Sequence, residues 1–356
     1  MNSIPLRQID QTPPPDRYAR GWHCLGLSTS FYVKSTAIMA FGTRIVVFRN
    51  SKGDAVVLEA TCPHMGGDLT MGKVDGDVVR CPYHDWGWGA EGMCLDIPYA
   101  KKIPKNARIR SWPVCEENHL LFIWNDPEGF PPQEDEIIPR EDAAFAADWS
   151  DWVIEENIIN INCRELIDNM SDKAHFITVH GLKPPHLFKN IFEGHMLTQI
   201  MNADNDEGSE FGEGGELRSS ATYYGPAYMI AAIDNEAAGF SHSSIQLVSH
   251  VPIDKDSFML RHGVKVQNIP GLSEEENKAV VGEYTEMTQL SFKQDVDIWH
   301  NKFRVDNPLL CDGDGPLHKL REWYDQFWLG LRFVTSFLRL GCQQFPCLRD
   351  SREQVY

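Results

Sequence analysis

The stretch CPHMGGDLTMGKVDGDVVRCPYH, residues 62–84, carries two Cys/His pairs: Cys62 with His64 and Cys81 with His84. Two thiolates and two imidazoles make a legitimate tetrahedral zinc set. Zinc fingers, however, present Cys with Cys and His with His, whereas each turn here offers one of each. A two-iron, two-sulfide cluster explains that order, because one iron takes both thiolates and the other takes both imidazoles. The spacing Cys-x-His, 16 residues, Cys-x-x-His assigns Cys62 and Cys81 to one iron and His64 and His84 to its neighbour. Gly66 and Gly67 let the backbone turn tightly and bring amides toward the sulfurs. Neutral imidazoles in place of two thiolates raise the reduction potential, so the site accepts electrons readily.

The remaining chain must then receive those electrons. DNMSDKAHFITVH supplies Asp168, Asp172, His175 and His180. Steps of four and three stack the first three on one helical face. His180 lies about 140° from His175 on an ideal helix. A shared metal therefore requires a π-like turn or unwinding before Gly181, and the weak helix formers Ile177, Thr178 and Val179 are compatible with either. Two His and one carboxylate with open positions form the facial triad of Fe(II) sites that handle dioxygen. The carboxylate is expected from YTEMTQLSFKQDVDIWHNK, where Tyr284, Thr288, Phe292, Asp295 and Trp299 share one stripe. Asp295 is the ligand by this pattern; Asp297 points elsewhere, with Lys293 one turn earlier as a partner. Phe292 and Trp299 flank the metal or serve as core. Asp172 is expected to accept a hydrogen bond from the His175 ring nitrogen that faces away from the metal.

Around these residues the chain changes character. From about Trp22 to Asp126, TRIVVFRN, AVVLEAT and HLLFIWND read as strands bounded by turn residues. DPEGFPPQEDEIIPRED reads as a linker. The boundaries expected are an N-terminal segment 1–20, a cluster domain 21–130, a catalytic domain 131–345 and a tail 346–356. The fold class is α+β: an all-β first domain, then an antiparallel sheet with a helix gripped against it. The strands are SATYYGPAYMIAAI, HSSIQLVSHVPI and SFMLRHGVKVQ, and the long helix starts at a Ser273–Glu276 capping box and runs to about residue 303. ELIDNMSDKAHFITVHG reads as helical at its start, NADNDEGSEFGEGGE as a surface loop, and FWLGLRFVTSFLRLG as an amphipathic helix.

Composition narrows the partners. The chain of 356 residues has 42% hydrophobic and 24% charged residues, as in ordinary globular domains, and a net charge of −18. That charge repels phosphate backbones and anionic lipid surfaces. The polar, proline-rich start has no secretory apolar core, and no run reaches the length of a bilayer span, so the expectation is a cytoplasmic protein without nucleic-acid partners. Of the nine cysteines, the seven outside the cluster motif are scattered, and most read as buried or incidental thiols. Lys101, Lys102, Lys105, Arg108 and Arg110 gather in YAKKIPKNARIR, either as a solvated strand or as a docking patch for an acidic electron donor.

Taken together, the two motifs resemble the Rieske non-haem iron oxygenases: Asp168, Asp172, His175 and His180 match that superfamily's Asp-x3-Asp-x2-His-x4-His pattern. RYARGWHCLG, CPYHDWGWG, FKNIFEGH and QDVDIWHNKFRVDNPLL are similar, more narrowly, to the oxygenase components of 3-ketosteroid 9α-hydroxylases, over about residues 16–328. The resemblance implies a Rieske [2Fe-2S] cluster, a mononuclear Fe(II), dioxygen as co-substrate, and electrons from NADH through a separate flavin and iron-sulfur reductase. It implies C9 hydroxylation of a 3-ketosteroid in steroid degradation, by a head-to-tail homotrimer in which Asp172 bridges His175 to a cluster histidine, His84, of the neighbour. It places Asn169 beside Asp172 among the catalytic residues, and Tyr223 and Met229 with Phe292 and Trp299 around the substrate. Ala231 and Ala232, in the same wall, are smaller than the family pattern suggests. Alternatives are a sterol desaturase, an aromatic demethylase, an electron carrier with the cluster alone, or a zinc-stabilised binding module. Turnover on a ligand panel separates the first two, and metal and sulfide content separates the last two.

Overall fold

The computed structural model describes residues 6–32, 34–205, 215–237 and 240–329. The centre of the acidic loop (206–214), most of the C-terminal stretch expected to be helical and the tail 346–356 lie outside the described residues.

Three small antiparallel sheets make up the first part of the chain. Gly21–Leu27 pairs with Leu120–Asn125, which pairs with Val114–Glu117. Thr36–Ala40, Thr43–Arg49 and Ala55–Glu59 form a meander. A four-stranded sheet of Lys73–Asp75, Val78–Arg80, Gly87–Trp88 and Cys94–Asp96 carries the cluster motif. Val46, Phe48, Leu58 and Leu69 are fully buried beneath it and share one core with Cys62, Cys81, Trp86 and Trp88.

A single antiparallel sheet of seven strands follows, in the order Val153–Ile159, Phe258–Val266, Phe240–Pro252, Tyr228–Ala237, Glu216–Tyr224, Met196–Asp204, Leu187–Glu193. Along Met196–Asp204 buried and half-buried residues alternate, the period-2 pattern of a sheet with one face on a core. Glu274–Trp299 is one continuous helix of 26 residues packed against that sheet, the helix-grip arrangement of an α+β fold. Its start is fixed as expected: Ser273 Oγ accepts from the Glu276 N–H, and the Glu276 carboxylate takes the Ser273 N–H at 2.8 Å.

The two parts share a core. Trp22 and Cys24 pack with Tyr228 and Leu247 of the large sheet, and Arg261 from that sheet donates to the Cys24 carbonyl at 3.0 Å. The cluster motif and the large sheet are thus held by common packing.

The 168–180 segment departs from the single helix its spacing suggests. Ile167–Ser171 is a 3-10 turn, Asp172 is extended, and only His175–Thr178 closes one α-turn. The extended Asp172 breaks the helical register, so Asp168, Asp172 and His175 do not share a face. Asp168 instead faces away, taking Arg321 at 2.7 and 3.0 Å and Lys302 at 2.9 Å. Burial would raise its pKa, but those two cations outweigh it and hold the carboxylate below its usual range. The 168–172 turn is thereby pinned to the helix Leu317–Asp325 that carries Arg321.

Candidate active site

The cluster motif forms two loops with the same hydrogen-bond pattern. In the first, the Cys62 N–H reaches the Gly67 carbonyl at 2.8 Å and Gly66 N–H reaches the Cys62 carbonyl at 2.9 Å. In the second, Cys81 N–H reaches Trp86 and Asp85 N–H reaches Cys81, both at 2.9 Å. The fifth residue of each loop is left-handed: Gly66 at φ 75° and Asp85 at φ 60°. Asp tolerates that conformation better than most side chains, so the second loop closes without a glycine, an equivalence the sequence hides.

These loops present the four side chains to one another. The His64 and His84 rings lie 4.6 Å apart, and the Nδ1 of each is buried with no hydrogen-bond partner among the described residues. Buried ring nitrogens without partners cost free energy unless something ligates them. A Cβ on Gly67 would stand 2.5 Å from the Cys81 sulfur, so only glycine leaves room there. The donor set and its two bare Nδ1 atoms fit a Rieske cluster.

Across the large sheet, His175, His180 and Asp295 converge, with one potential ligand atom of each within 4.8 Å of the others. Their side chains are 10%, 9% and 9% exposed. The helix ends between the two histidines as their separation demands: His180 N–H reaches back to the His175 carbonyl at 3.4 Å, a π-like turn, and Gly181 follows at φ 65°. His180 Nδ1 pairs with the Ser291 hydroxyl at 3.1 Å, which leaves Nε2 turned to Asp295 at 3.3 Å. His175 Nδ1–H donates to the backbone carbonyl of Asp172 at 2.6 Å, which likewise leaves Nε2 free. This corrects the expected role of the Asp172 carboxylate. Its Oδ1 is 3.9 Å from that ring nitrogen and instead caps the Ala174 and His175 N–H groups, both at 3.1 Å. Burial lowers the His175 pKa despite the nearby Asp295, which favours the neutral, metal-ligating imidazole. Two neutral imidazoles and one carboxylate fit a mononuclear Fe(II) site. Asp297 is exposed and, among the described residues, makes no ion pair with Lys293.

An apolar cavity opens beside these three residues, enclosing about 890 Å³ with its mouth included. Asn169, Tyr223, Met229, Phe292 and Trp299 all line it. Ala231 does too, whereas Ala232 points to the exposed face of the same strand, as the period of two requires. Two lining residues, Gln199 and Gln246, escape the sequence reading. The signal was present: in MLTQIMNAD, Gln199 sits on the buried face with Leu197 and Met201. Gln199 donates to the Met170 carbonyl at 2.8 Å, leaving its amide oxygen for the cavity. His262 Nε2 lies 3.3 Å from the Gln246 amide oxygen, and the His262 ring stacks on Phe292 at 4.0 Å. Burial depresses the His262 pKa to about 3, so the ring is neutral and donates its N–H to that oxygen. The Gln246 NH2 is thereby left to donate, with the Tyr284 hydroxyl among the groups it reaches. Lys101, Lys102, Lys105, Arg108 and Arg110 are exposed on bends, turns and loop, Arg108 forming an isolated bridge with Met93, rather than on a strand.

A family model described as the 3-ketosteroid 9alpha-hydroxylase C-terminal domain matches residues 123–328, and one described as the Rieske [2Fe-2S] domain matches 21–113. The chain is 45% identical over 337 residues to a 3-ketosteroid-9-alpha-monooxygenase oxygenase component of Rhodococcus rhodochrous, covering 93% of this chain and 88% of that one. It is 26% identical over 360 residues to cholesterol 7-desaturase nvd of Xenopus laevis, covering 92% and 75%. Among solved structures, dicamba monooxygenase bound to 3,6-dichlorosalicylic acid shares the fold, with a TM-score of 0.70 at 17% identity over 87% of this chain and 98% of that one.

Proposed function

The chain belongs to the family of 3-ketosteroid-9-alpha-monooxygenase oxygenase components, and from that premise we propose that it hydroxylates a 3-ketosteroid at C9. The observation that carries the substrate is a row across the large sheet. Register pairs Gln199 with Ala221, Ala221 with Ala231, and Ala231 with Gln246. Three strand spacings put the two glutamine backbones about 14 Å apart. Between them two methyl groups floor an apolar trough, with an amide acceptor at one end and an amide donor at the other. A flat polycycle with a ketone at one end and a polar group at the other suits that trough. The Gln246 NH2 would take the ketone oxygen.

In this reading Cys62, His64, Cys81 and His84 hold the Rieske cluster, and His175, His180 and Asp295 hold the mononuclear iron. When bound, the two centres supply single-electron transfer and reductive use of dioxygen. The protein's own residues set the geometry. The Asp172 carbonyl and the Ser291 hydroxyl fix the two imidazoles, Phe292 and Trp299 exclude water beside them, and the glutamine row sets which carbon faces the metal.

As an oxygenase component the chain works with a separate reductase. We assign that role to an NADH-dependent flavin and iron-sulfur protein, docking on the Lys101–Arg110 cations. The exposed Asp172 carboxylate, with Met65 and Tyr83 61% and 60% exposed on the cluster loops, suits a head-to-tail trimer in which one chain's cluster faces another's Asp172. The functional units divide near residue 130.

Ligand titration tests the substrate. A 3-ketosteroid should bind more tightly than its 3-hydroxy counterpart, and Gln246→Leu should weaken the ketone by about fivefold, the equivalent of one neutral hydrogen bond, and narrow the preference for ketone over alcohol. Equal binding of ketone and alcohol by the unaltered protein would point to another apolar substrate.

A further inference from the structure

His262 lies on the strand Phe258–Val266 opposite Val248 of the cavity wall, and it is fully buried. Its ring lies flat on Phe292, with centroids 4.0 Å and planes 11° apart. The two ring nitrogens meet different surroundings. Nε2 is 3.3 Å from the Gln246 amide oxygen, whereas Nδ1 is buried with no hydrogen-bond partner among the described residues. Burial keeps the ring neutral, so one nitrogen carries the hydrogen. On Nδ1 that hydrogen would be an orphaned buried donor, a rarer and costlier arrangement than an unused lone pair. The hydrogen therefore sits on Nε2, and the Gln246 oxygen must face it. On its other side the Gln246 amide reaches the Tyr284 hydroxyl, which is 2.9 Å from Ser244 Oγ. With its oxygen held by His262 and one N–H held by Tyr284, the amide keeps a single N–H for the cavity.

We propose that His262 makes the cavity select a carbonyl over a hydroxyl, by holding the Gln246 amide with its NH2 toward the substrate. The inference rests on the reading that the ketone meets Gln246. A ketone oxygen accepts the remaining N–H and has no hydrogen to place. A 3-hydroxyl can accept it too, but its own O–H then finds no amide oxygen, because His262 has taken it. His262 does not line the cavity; it is a positioning residue that acts through Gln246.

The test is an anaerobic equilibrium titration of the holoprotein with a 3-ketosteroid and its 3-hydroxy counterpart. The unaltered protein is compared with Gln246→Leu, His262→Phe and the double variant, and iron content checks that each keeps both centres. His262→Phe keeps a ring against Phe292 and removes the N–H, so the amide can turn its oxygen into the cavity. The ratio of ketone to alcohol affinity should fall about fivefold, the equivalent of one neutral hydrogen bond, and the alcohol should bind more tightly than it does to the unaltered protein. In the Gln246→Leu background the same change should leave the ratio where Gln246→Leu put it. If His262→Phe loses iron, His262→Met, which also lacks the donor, must give the same result. An unmoved ratio, an equal loss of affinity for both steroids, or a fall of the same size with and without Gln246 would show that His262 acts by packing alone and overturn the proposal. If Gln246→Leu itself does not narrow the preference for ketone, the reading beneath the inference fails, an outcome distinct from an unmoved ratio in the His262 variants.

Discussion

At the scale of single residues, the account turns on a choice between two aspartates two positions apart. Asp295 is buried beside His180, and Asp297 is exposed on the same helix. Asp295→Asn should lower bound iron from three to two per chain, leave the cluster spectrum intact and abolish hydroxylation. Asp297→Asn should leave all three unchanged; ferrozine assay with visible spectroscopy reads both. Asp172→Asn separates the two functions of that residue. Its backbone carbonyl still holds His175 and an asparagine side-chain oxygen still caps the turn, so all three irons should stay. If the carboxylate carries electrons between chains, single-turnover product yield should fall at least tenfold while the cluster reduces normally. A yield equal to that of the unaltered protein would remove Asp172 from the route.

At the scale of elements, the long helix is an aiming device. It places Ser291, Asp295 and Trp299 on one buried face, so its start must be fixed. Ser273→Ala removes the capping box and should cost about 1 kcal/mol, read as a lower urea midpoint with the slope unchanged. Much of this level was legible. The capping box, the stripe that carries Asp295 and the need for a break between His175 and His180 all follow from local spacing, which local hydrogen bonds then obey. The 168–178 segment was less legible, because its shape is set from outside: Arg321 and Lys302 pin Asp168 from residues more than 130 positions away. The amide row Gln199 to Gln246 was invisible for the same reason. Cross-strand register comes from the folded sheet, and no single stretch of sequence carries it.

At the scale of the whole molecule, the join between the first sheets and the large one buries histidines. His23 is fully buried, and burial depresses its pKa to about 4; His250, whose ring lies 6.2 Å away, is depressed as well. The unfolded chain binds those protons near pH 6.5 and the folded protein does not, so stability is complete above about pH 6.5 and falls toward pH 4. For His23 the loss amounts to about 3 kcal/mol. Melting temperature should drop across that window, and His23→Phe should flatten the dependence even if it lowers the plateau. An unchanged slope would show that the ring is not buried neutral.

The family, the two metal-binding constellations and the apolar trough converge on a reaction that puts one atom of dioxygen into a steroid. Mass spectrometry of the product formed from a 3-ketosteroid, reductase, NADH and 18-O-labelled dioxygen tests it directly. The account predicts a product carrying one labelled hydroxyl at C9. An unlabelled product, a desaturated one without added oxygen, or no turnover of any 3-ketosteroid by protein loaded with all three irons would contradict it.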